Sequence, residues 1–315
     1  MLDFDAHRPV LLQAVLAQLA PAAGERVVDA TFGRGGYSAA ILETAAVNLL
    51  AVDRDPDAIA AGAGLARVYP QLTLCEGCFG ELRSLLEERS FVPIHGIVFD
   101  LGVSSPQLDD AERGFSFRQD GPLDMRMGRA GMSAADVVNG WSEVELGRIL
   151  REFGEERYWR RVARAIVARR CERPFARTLD LAECVRSAVP RGRGPERIDP
   201  ATRSFQALRI AVNDELGELI AAWEAAERVL AAGGRLVCVS FHSMEDSLVK
   251  PFLKERSTTA GGGSRHFPGQ AARQPTFELT TRRPITADAD EVAANPRARS
   301  AKLRAARRLA AEFGS

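Results

Sequence analysis

Asp29-Ala30-Thr31-Phe32-Gly33-Arg34-Gly35-Gly36-Tyr37-Ser38 follows a short β-branched run and precedes an alanine-rich helical pattern. Strand, glycine turn and helix in that order make a nucleotide cradle. Lacking Cβ atoms, Gly33, Gly35 and Gly36 can take positive φ and let the backbone approach a ligand, and the helix start beyond them presents unpaired N–H groups. The next apolar run, Asn48 to Val52, ends in Asp53, about twenty residues beyond the glycines, where a carboxylate can accept both hydroxyls of a ribose. The ligand read from this unit is an adenosine derivative.

A dinucleotide fingerprint needs a small third residue at Ser38, and the Gly35-Gly36 pair departs from that spacing, which disfavours hydride chemistry. A phosphate-binding loop needs Lys-Ser or Lys-Thr after its last glycine; Tyr37-Ser38 stands there, which disfavours ATP hydrolysis. Asp29 argues for a different cofactor. A carboxylate repels a pyrophosphate but attracts a sulfonium or an α-amino group, and S-adenosylmethionine carries both cations. The alternative is a tight strand-to-helix turn with no ligand, which leaves Asp29 and Asp53 coincidental.

The 315 residues, 46% hydrophobic and 27% charged, suffice for one large α/β domain with an insertion. No apolar stretch approaches the length of a membrane span, and the helix candidate Val10 to Leu19 lacks a basic leader, so a cytoplasmic enzyme is expected. Five widely spread cysteines form no disulfide framework. Cys75 and Cys78 are spaced C-x-x-C, but no second pair or histidine follows at ligand spacing, and no metal is expected. The formal net charge is zero, yet the charge is unevenly placed. Residues 148–209 hold sixteen arginines, no lysine and eight acids, and residues 256–315 hold eleven basic against five acidic residues. Two cationic segments thus flank an acidic body. Clustered arginine suits phosphate and points to a nucleic-acid substrate, the alternative being a compositional preference for arginine over lysine.

Strands are expected at Arg26 to Asp29, Leu49 to Asp53, Leu72 to Glu76, Ile97 to Asp100 and Arg235 to Phe241. The first four lie at crossover spacing, which reads as a doubly wound parallel α/β sheet. After Asp100 the alternation stops for over a hundred residues. There Leu146, Ile149, Leu150 and Phe153, then Trp159, Val162 and Ile166, recur at helical spacing with arginines on the opposite faces. An inserted helical domain over 109–210 is expected, with 1–108 and 211–315 forming the sheet domain. Leu219, Trp223, Ala226 and Leu230 make a further helix stripe, ended by Gly233-Gly234. The glycine-rich stretch Ala260 to Gln274 reads as a mobile loop.

In an open α/β sheet the ligand sits beyond the carboxyl ends of the strands, so Asp29, the glycine turn, Asp53, Phe79 and Asp100 are expected to form one crevice. Phe79 is a candidate cover for the adenine face, with core packing as the alternative. Asp100-Leu101-Gly102-Val103-Ser104-Ser105-Pro106 ends the fourth strand, where adenosylmethionine enzymes acting on exocyclic amines commonly place an acidic or amide residue.

Several stretches together give a more specific reading. The glycine turn, Asp100 to Asp109, Arg113-Gly114-Phe115-Ser116-Phe117 and Gly121-Pro122-Leu123-Asp124-Met125-Arg126-Met127 resemble the bacterial 16S ribosomal-RNA cytosine-N4 methyltransferase family. Arg203 to Asn213, Ser240-Phe241-His242-Ser243-Met244-Glu245-Asp246 and Asn295 to Arg304 resemble it in the same order, so the likeness covers nearly the whole chain. It implies a Rossmann-like class I methyltransferase sheet and contacts to S-adenosylmethionine from Gly35, Gly36, Tyr37, Asp53, Phe79, Asp100 and Gln107. It also implies a cytidine in the decoding region of the small ribosomal subunit as substrate. Tyr37 stands where the family usually has histidine; a contact made through the backbone survives that change, and cofactor binding is expected to persist.

The amine of cytosine is a poor nucleophile because its lone pair is delocalised, so acceptors at Asp100 or in the turn to Ser104 are expected to orient it. His242 is a candidate proton relay, or else orders its loop with Glu245 or Asp246. The target base must leave its stack, and Trp141 is a candidate platform against a core-packing alternative. Arg157, Arg160, Arg161 and Arg164 are candidate phosphate grips, with Arg297, Arg299, Lys302 and Arg304 as a second set; solvated faces are the competing reading. The residues leave open another methyl acceptor, a DNA amine or a protein, and a non-catalytic ribosome-assembly factor. They also leave open free RNA against assembled subunit, and monomer against homodimer.

Overall fold

A computed structural model of the chain describes residues 9–190, 199–259 and 274–310. Nearly all of the glycine-rich Ala260 to Gln274 stretch lies outside them, as do Arg191, Arg193 and Arg197. The chain divides into two compact units, Met1–Gly102 with Gly217–Ser315, and Val103–Leu216.

The first unit holds a seven-stranded sheet of β1 (Arg26–Asp29), β2 (Asn48–Asp53), β3 (Leu72–Glu76), β4 (Ile94–Asp100), β5 (Leu230–Ser240), β6 (Phe277–Leu279) and β7 (Lys302–Arg308). Their order is β3-β2-β1-β4-β5-β7-β6, parallel except for β7, which runs antiparallel to both neighbours. The doubly wound, Rossmann-like sheet expected above is present. Side-chain alternation explains its two covered faces. Val28, Leu50, Ile97, Phe99 and Leu236 point into one core with Trp223, Phe252 and Leu253. Their neighbours Val27, Leu49, Val98 and Val237 point into another with Val15, Leu19, Ile41 and Leu65. The helices that supply those layers are α1 (Leu12–Leu19), α2 (Gly36–Thr44), α3 (Pro56–Val68) and α4 (Leu82–Glu88), with α11 (Glu215–Val229) and α12 (Ser243–Ser257) later in the chain; α13 (Ala289–Ala294) buries no residue.

Two strand readings change. β5 starts at Leu230 rather than Arg235, with a register shift where it pairs Ile94 and then Gly96. The basic stretch at 302–308, where no strand was expected, is a strand inside the sheet: Lys302-Leu303-Arg304-Ala305 alternates, and Leu303 and Ala305 are buried.

The second unit is helical: α5 (Ser105–Asp109), α6 (Ala134–Gly140), α7 (Glu143–Glu152), α8 (Trp159–Glu172), α9 (Thr178–Ala188) and α10 (Ala201–Asn213). Leu146, Ile149, Leu150, Val162 and Ile166 fill its core, as their spacing implied. The expected limits 109–210 fall inside this unit at both ends, for local reasons. Gln107 Oε1 accepts the Ser104 N–H at 3.1 Å at the start of α5. At the other end, Asn213 accepts from Met127 N–H and donates to the Met125 carbonyl, each at 2.8 Å, and Arg209 pairs with Glu215 at 2.6 Å. Among the described residues no helix is long and apolar enough to cross a membrane.

Candidate functional site

Asp29, Asp53 and Asp100 end β1, β2 and β4, neighbouring strands in the middle of the sheet, so parallel pairing places three carboxylates at its carboxyl end. Asp29 is fully buried; its Oδ2 accepts from the Ser38 hydroxyl at 2.7 Å and its Oδ1 from Thr31 N–H at 3.2 Å. The Thr31 hydroxyl in turn accepts the Asp100 N–H at 2.7 Å, which ties β1 to β4. Asp53 accepts from Gly33 N–H at 2.7 Å and from Asp55 N–H at 2.8 Å, one bond to each oxygen. A carboxylate has about four lone-pair sites, so Asp53 keeps acceptor capacity for a pair of hydroxyls.

Asp100 differs from both. Its Oδ1 is buried with no hydrogen-bond partner among the described residues. Burial lifts its pKa well above the carboxylate range, and the charges of Asp29 and Glu245 lift it further. Burial also raises Asp29 to about 6 against the stabilising Ser38 bond, and raises Asp53. Crowded, desolvated acids of this kind are what a bound cation relieves.

The glycine turn is shaped by packing as well as by a ligand. Gly35 caps α2 at φ 75°, and a Cβ there would lie 2.8 Å from the Phe32 ring. A Cβ on Gly36 would meet Pro9 Cγ at 2.5 Å. Tyr37 is buried and its hydroxyl donates to the Val10 carbonyl. The side chain is therefore part of the core, and what position 37 offers a ligand is its backbone. Asp29, likewise, has no accessible surface, and its bonds to Thr31 and Ser38 brace the turn.

Phe79 is half-buried, packed edge-on against Phe99 with centroids 6.3 Å apart, at the same end of the sheet. His242 caps α12: Nε2 lies 2.9 Å from Glu245 Oε1, and Nδ1 accepts the Glu245 N–H at 3.4 Å. Glu245, itself buried, also accepts from Phe241 N–H at 2.7 Å. These contacts order the start of α12. Ser104 and Gln107 belong to the helical unit, and Gln107 is buried, its carbonyl oxygen holding the Ser104 N–H.

The arginines separate into two kinds. Arg157, Arg160, Arg161 and Arg164 are exposed at the start of α8 and just before it. Further on, Arg169 is bound to Asp180 at 2.6 Å, Arg170 to the carbonyls of Val138 and Trp141, Arg177 to Asp120 at 2.9 Å and Arg186 to Asp199 at 2.8 Å. Trp141 is half-buried against the helical core. The aromatic that arginines surround is Trp159, a residue read from the sequence only as core: Arg160 lies over its ring at 4.3 Å and Arg151 at 5.5 Å.

In the C-terminal set Arg297 and Arg299 are exposed. Arg304 is a correction. Its guanidinium is bound to Asp246 at 2.7 Å and is almost covered, and Lys302 joins the same carboxylate at 3.0 Å. These two cations hold β7 to α12.

Residues 5–309 match the MraW methylase family. Ribosomal RNA small subunit methyltransferase H of Rhodospirillum centenum is 57% identical over 307 residues, spanning 97% of this chain and 93% of its own length. The protein of the same name from Acidiphilium cryptum is 56% identical over 312 residues, spanning 97% and 98%. Among solved structures, an rRNA methylase from Streptococcus thermophilus aligns over 94% of this chain and 93% of its own, at 12% identity and a TM-score of 0.41.

Proposed function

Because the chain belongs to the MraW methylase family, we propose that it transfers a methyl group from S-adenosylmethionine to the exocyclic N4 amine of a cytidine in the decoding region of 16S ribosomal RNA. It is an S-adenosylmethionine-dependent methyltransferase. The observation that carries the rest is the Asp100 carboxylate, buried with an oxygen that lacks a partner, beside two further acids. That donor set fits the cofactor: Asp53 keeps lone pairs for ribose hydroxyls, the N–H groups at the start of α2 face a polar end, and the acids attract cations. Bound there, S-adenosylmethionine supplies an electrophilic methyl on a positive sulfur.

The protein's own residues do the remainder. Asp100 accepts a hydrogen bond from the cytosine amine, which localises the nitrogen lone pair and fixes its direction. As the methyl transfers, Asp100 also takes the proton that the amine loses. The turn that follows Asp100, Leu101 to Gly102, is assigned to orienting the amine, and Phe79 to covering the adenine. His242 holds the start of α12 through Glu245 and relays no proton in this scheme. The exposed arginines at 157, 160, 161 and 164, with Arg297 and Arg299, hold RNA phosphates. We place the reaction in the cytoplasm, on RNA of the small ribosomal subunit.

The test is to supply the full-length protein with methyl-labelled cofactor and small ribosomal subunits, naked small-subunit RNA or duplex DNA. Label at N4 of a single cytidine of the small-subunit RNA is expected. Label confined to DNA or to protein overturns the proposal.

A further inference from the structure

Between α7 and α8 lies a groove of about 380 Å³ lined by Glu143, Val144, Arg148, Arg151, Trp159, Arg160, Ala163 and Arg164. Its floor is the indole of Trp159. The indole can lie along α7 because position 147 is glycine: a Cβ there would stand 2.9 Å from the six-membered ring. Arg160 and Arg151 lie over the ring at 4.3 and 5.5 Å, and Val144, 81% exposed, adds apolar surface at the rim. Four cations and one acid line the walls. Their ion pairs are solvent-exposed: Arg164 reaches Glu143 at 3.8 Å with side chains 76% and 46% exposed, Arg148 reaches Glu152 at 3.6 Å with 50% and 41% exposed, and Arg151 reaches Glu152 at 2.6 Å with 55% and 41% exposed. Pairs this exposed contribute little and exchange readily for a phosphate.

An aromatic floor with guanidinium walls matches one ligand class better than any other. Bases stack on indole regardless of sequence, arginine adds cation–π contact, and the same arginines take the flanking phosphates. An acidic peptide would use the charge and leave the flat floor unused. A regular duplex would offer phosphates and no free base face. We propose that this groove docks an unstacked nucleotide of a single-stranded RNA segment, an accessory grip separate from the carboxylate residues, all of which belong to the other unit. The inference rests on the ribosomal-RNA reading above and deepens it: the substrate region recognised is single-stranded, and one base other than the methylated cytidine is held on Trp159.

The experiment uses full-length protein and a labelled oligouridylate, which contains no cytidine, with affinity read by fluorescence anisotropy. Trp159→Ala is expected to weaken binding by on the order of tenfold or more, the usual worth of one stacked base. Trp159→Phe should retain most of the affinity, and Gly147→Ala should weaken binding by displacing the indole. In each variant thermal stabilisation by S-adenosylmethionine should match the wild type. Unchanged oligouridylate affinity in Trp159→Ala overturns the proposal, as does equal loss on a duplex RNA or binding of an acidic peptide in place of RNA. Should Trp159→Ala lose its cofactor stabilisation through misfolding, the exposed double variant Arg151→Ala/Arg160→Ala decides by the same criterion. A wild-type protein that binds oligouridylate through Trp159 yet methylates no small-subunit RNA would sink the functional reading and leave this site standing.

Discussion

The carboxylate crevice and the arginine face of α7 and α8 are built on opposite principles. In the crevice each acid is at a strand end, half or wholly buried: Asp29 accepts from Ser38 and Thr31, Asp53 accepts from Gly33, and the Asp100 N–H donates to the Thr31 hydroxyl, at 2.7 to 3.2 Å. On the arginine face the cations are exposed, paired only through solvent-facing contacts, and repeated along a helix. Burial and shared bonds make the crevice sensitive, because changing one acid alters the electrostatics and bonding of the others. Exposure and repetition make the arginine face tolerant, since each cation adds a small, screened increment.

The sharpest way to break that contrast is Asp100→Asn, which keeps the shape and removes the charge. Methyl transfer at saturating substrates should fall by roughly 100- to 1000-fold, the usual cost of one preorganised group at the reacting centre. The melting temperature without cofactor should hold or rise, because a desolvated acid with a raised pKa is relieved. Turnover within about tenfold of wild type would remove Asp100 from the reaction.

Next in size is a pH effect at Asp29, whose pKa rises from 3.8 to about 6 on folding, chiefly through burial. A group raised in this way favours the native state fully below its unfolded value. That advantage is lost as pH climbs from about 4 through 6, at a cost on the order of 3 kcal/mol for a shift of this size. A cationic cofactor acts in the opposite direction, since it favours the ionised acids. Binding affinity should therefore rise with pH through the same window, while the stability of the cofactor-free protein falls. Calorimetric titration beside thermal melting at stepped pH checks both signs, and parallel trends would exclude a cation in the crevice.

A third effect comes from the glycine turn. Gly36→Ala puts a methyl 2.5 Å from Pro9 Cγ, so either the helix start or the Pro9 segment must shift. A loss of about 1 to 3 kcal/mol, typical of overpacking, is expected in melting experiments. Weaker cofactor binding should accompany it.

The two regions were not equally legible in the sequence. The place of Asp53 at a strand end beside the glycine turn was readable because the spacing between them is set by one helix and one strand. The helical insertion was readable because Leu146, Ile149, Val162 and Ile166 keep a helical period. Tyr37 was not, since nothing local says that its hydroxyl reaches the Val10 carbonyl. The arginines at 169, 170, 177 and 186 look like those at 160, 161 and 164 in sequence; only folding brings Asp180, Asp120 and Asp199 to the former. Arg304 was misread for the same reason, although the alternation of Leu303 and Ala305 was a strand signal already present. Trp159 was passed over in favour of Trp141 because the sequence does not show that Gly147 lies under its ring.

The smallest effects separate a buried cation from an exposed one. Arg304→Ala strips one partner from Asp246 in a nearly covered pair and should cost about 1 to 3 kcal/mol of stability with little change in the salt dependence of RNA binding. Arg161→Ala should do the reverse. Its side chain is exposed on α8, so melting should be unchanged within about 0.5 kcal/mol. RNA affinity should drop only a few-fold, and the slope of log affinity against log salt should lessen by about 0.7 for the one lost single-strand phosphate contact. Affinity titrations of both variants across a salt series provide the measurement. An unchanged slope in Arg161→Ala, or a reduced one in Arg304→Ala, would reverse the division between cations that hold the fold and cations that hold the RNA.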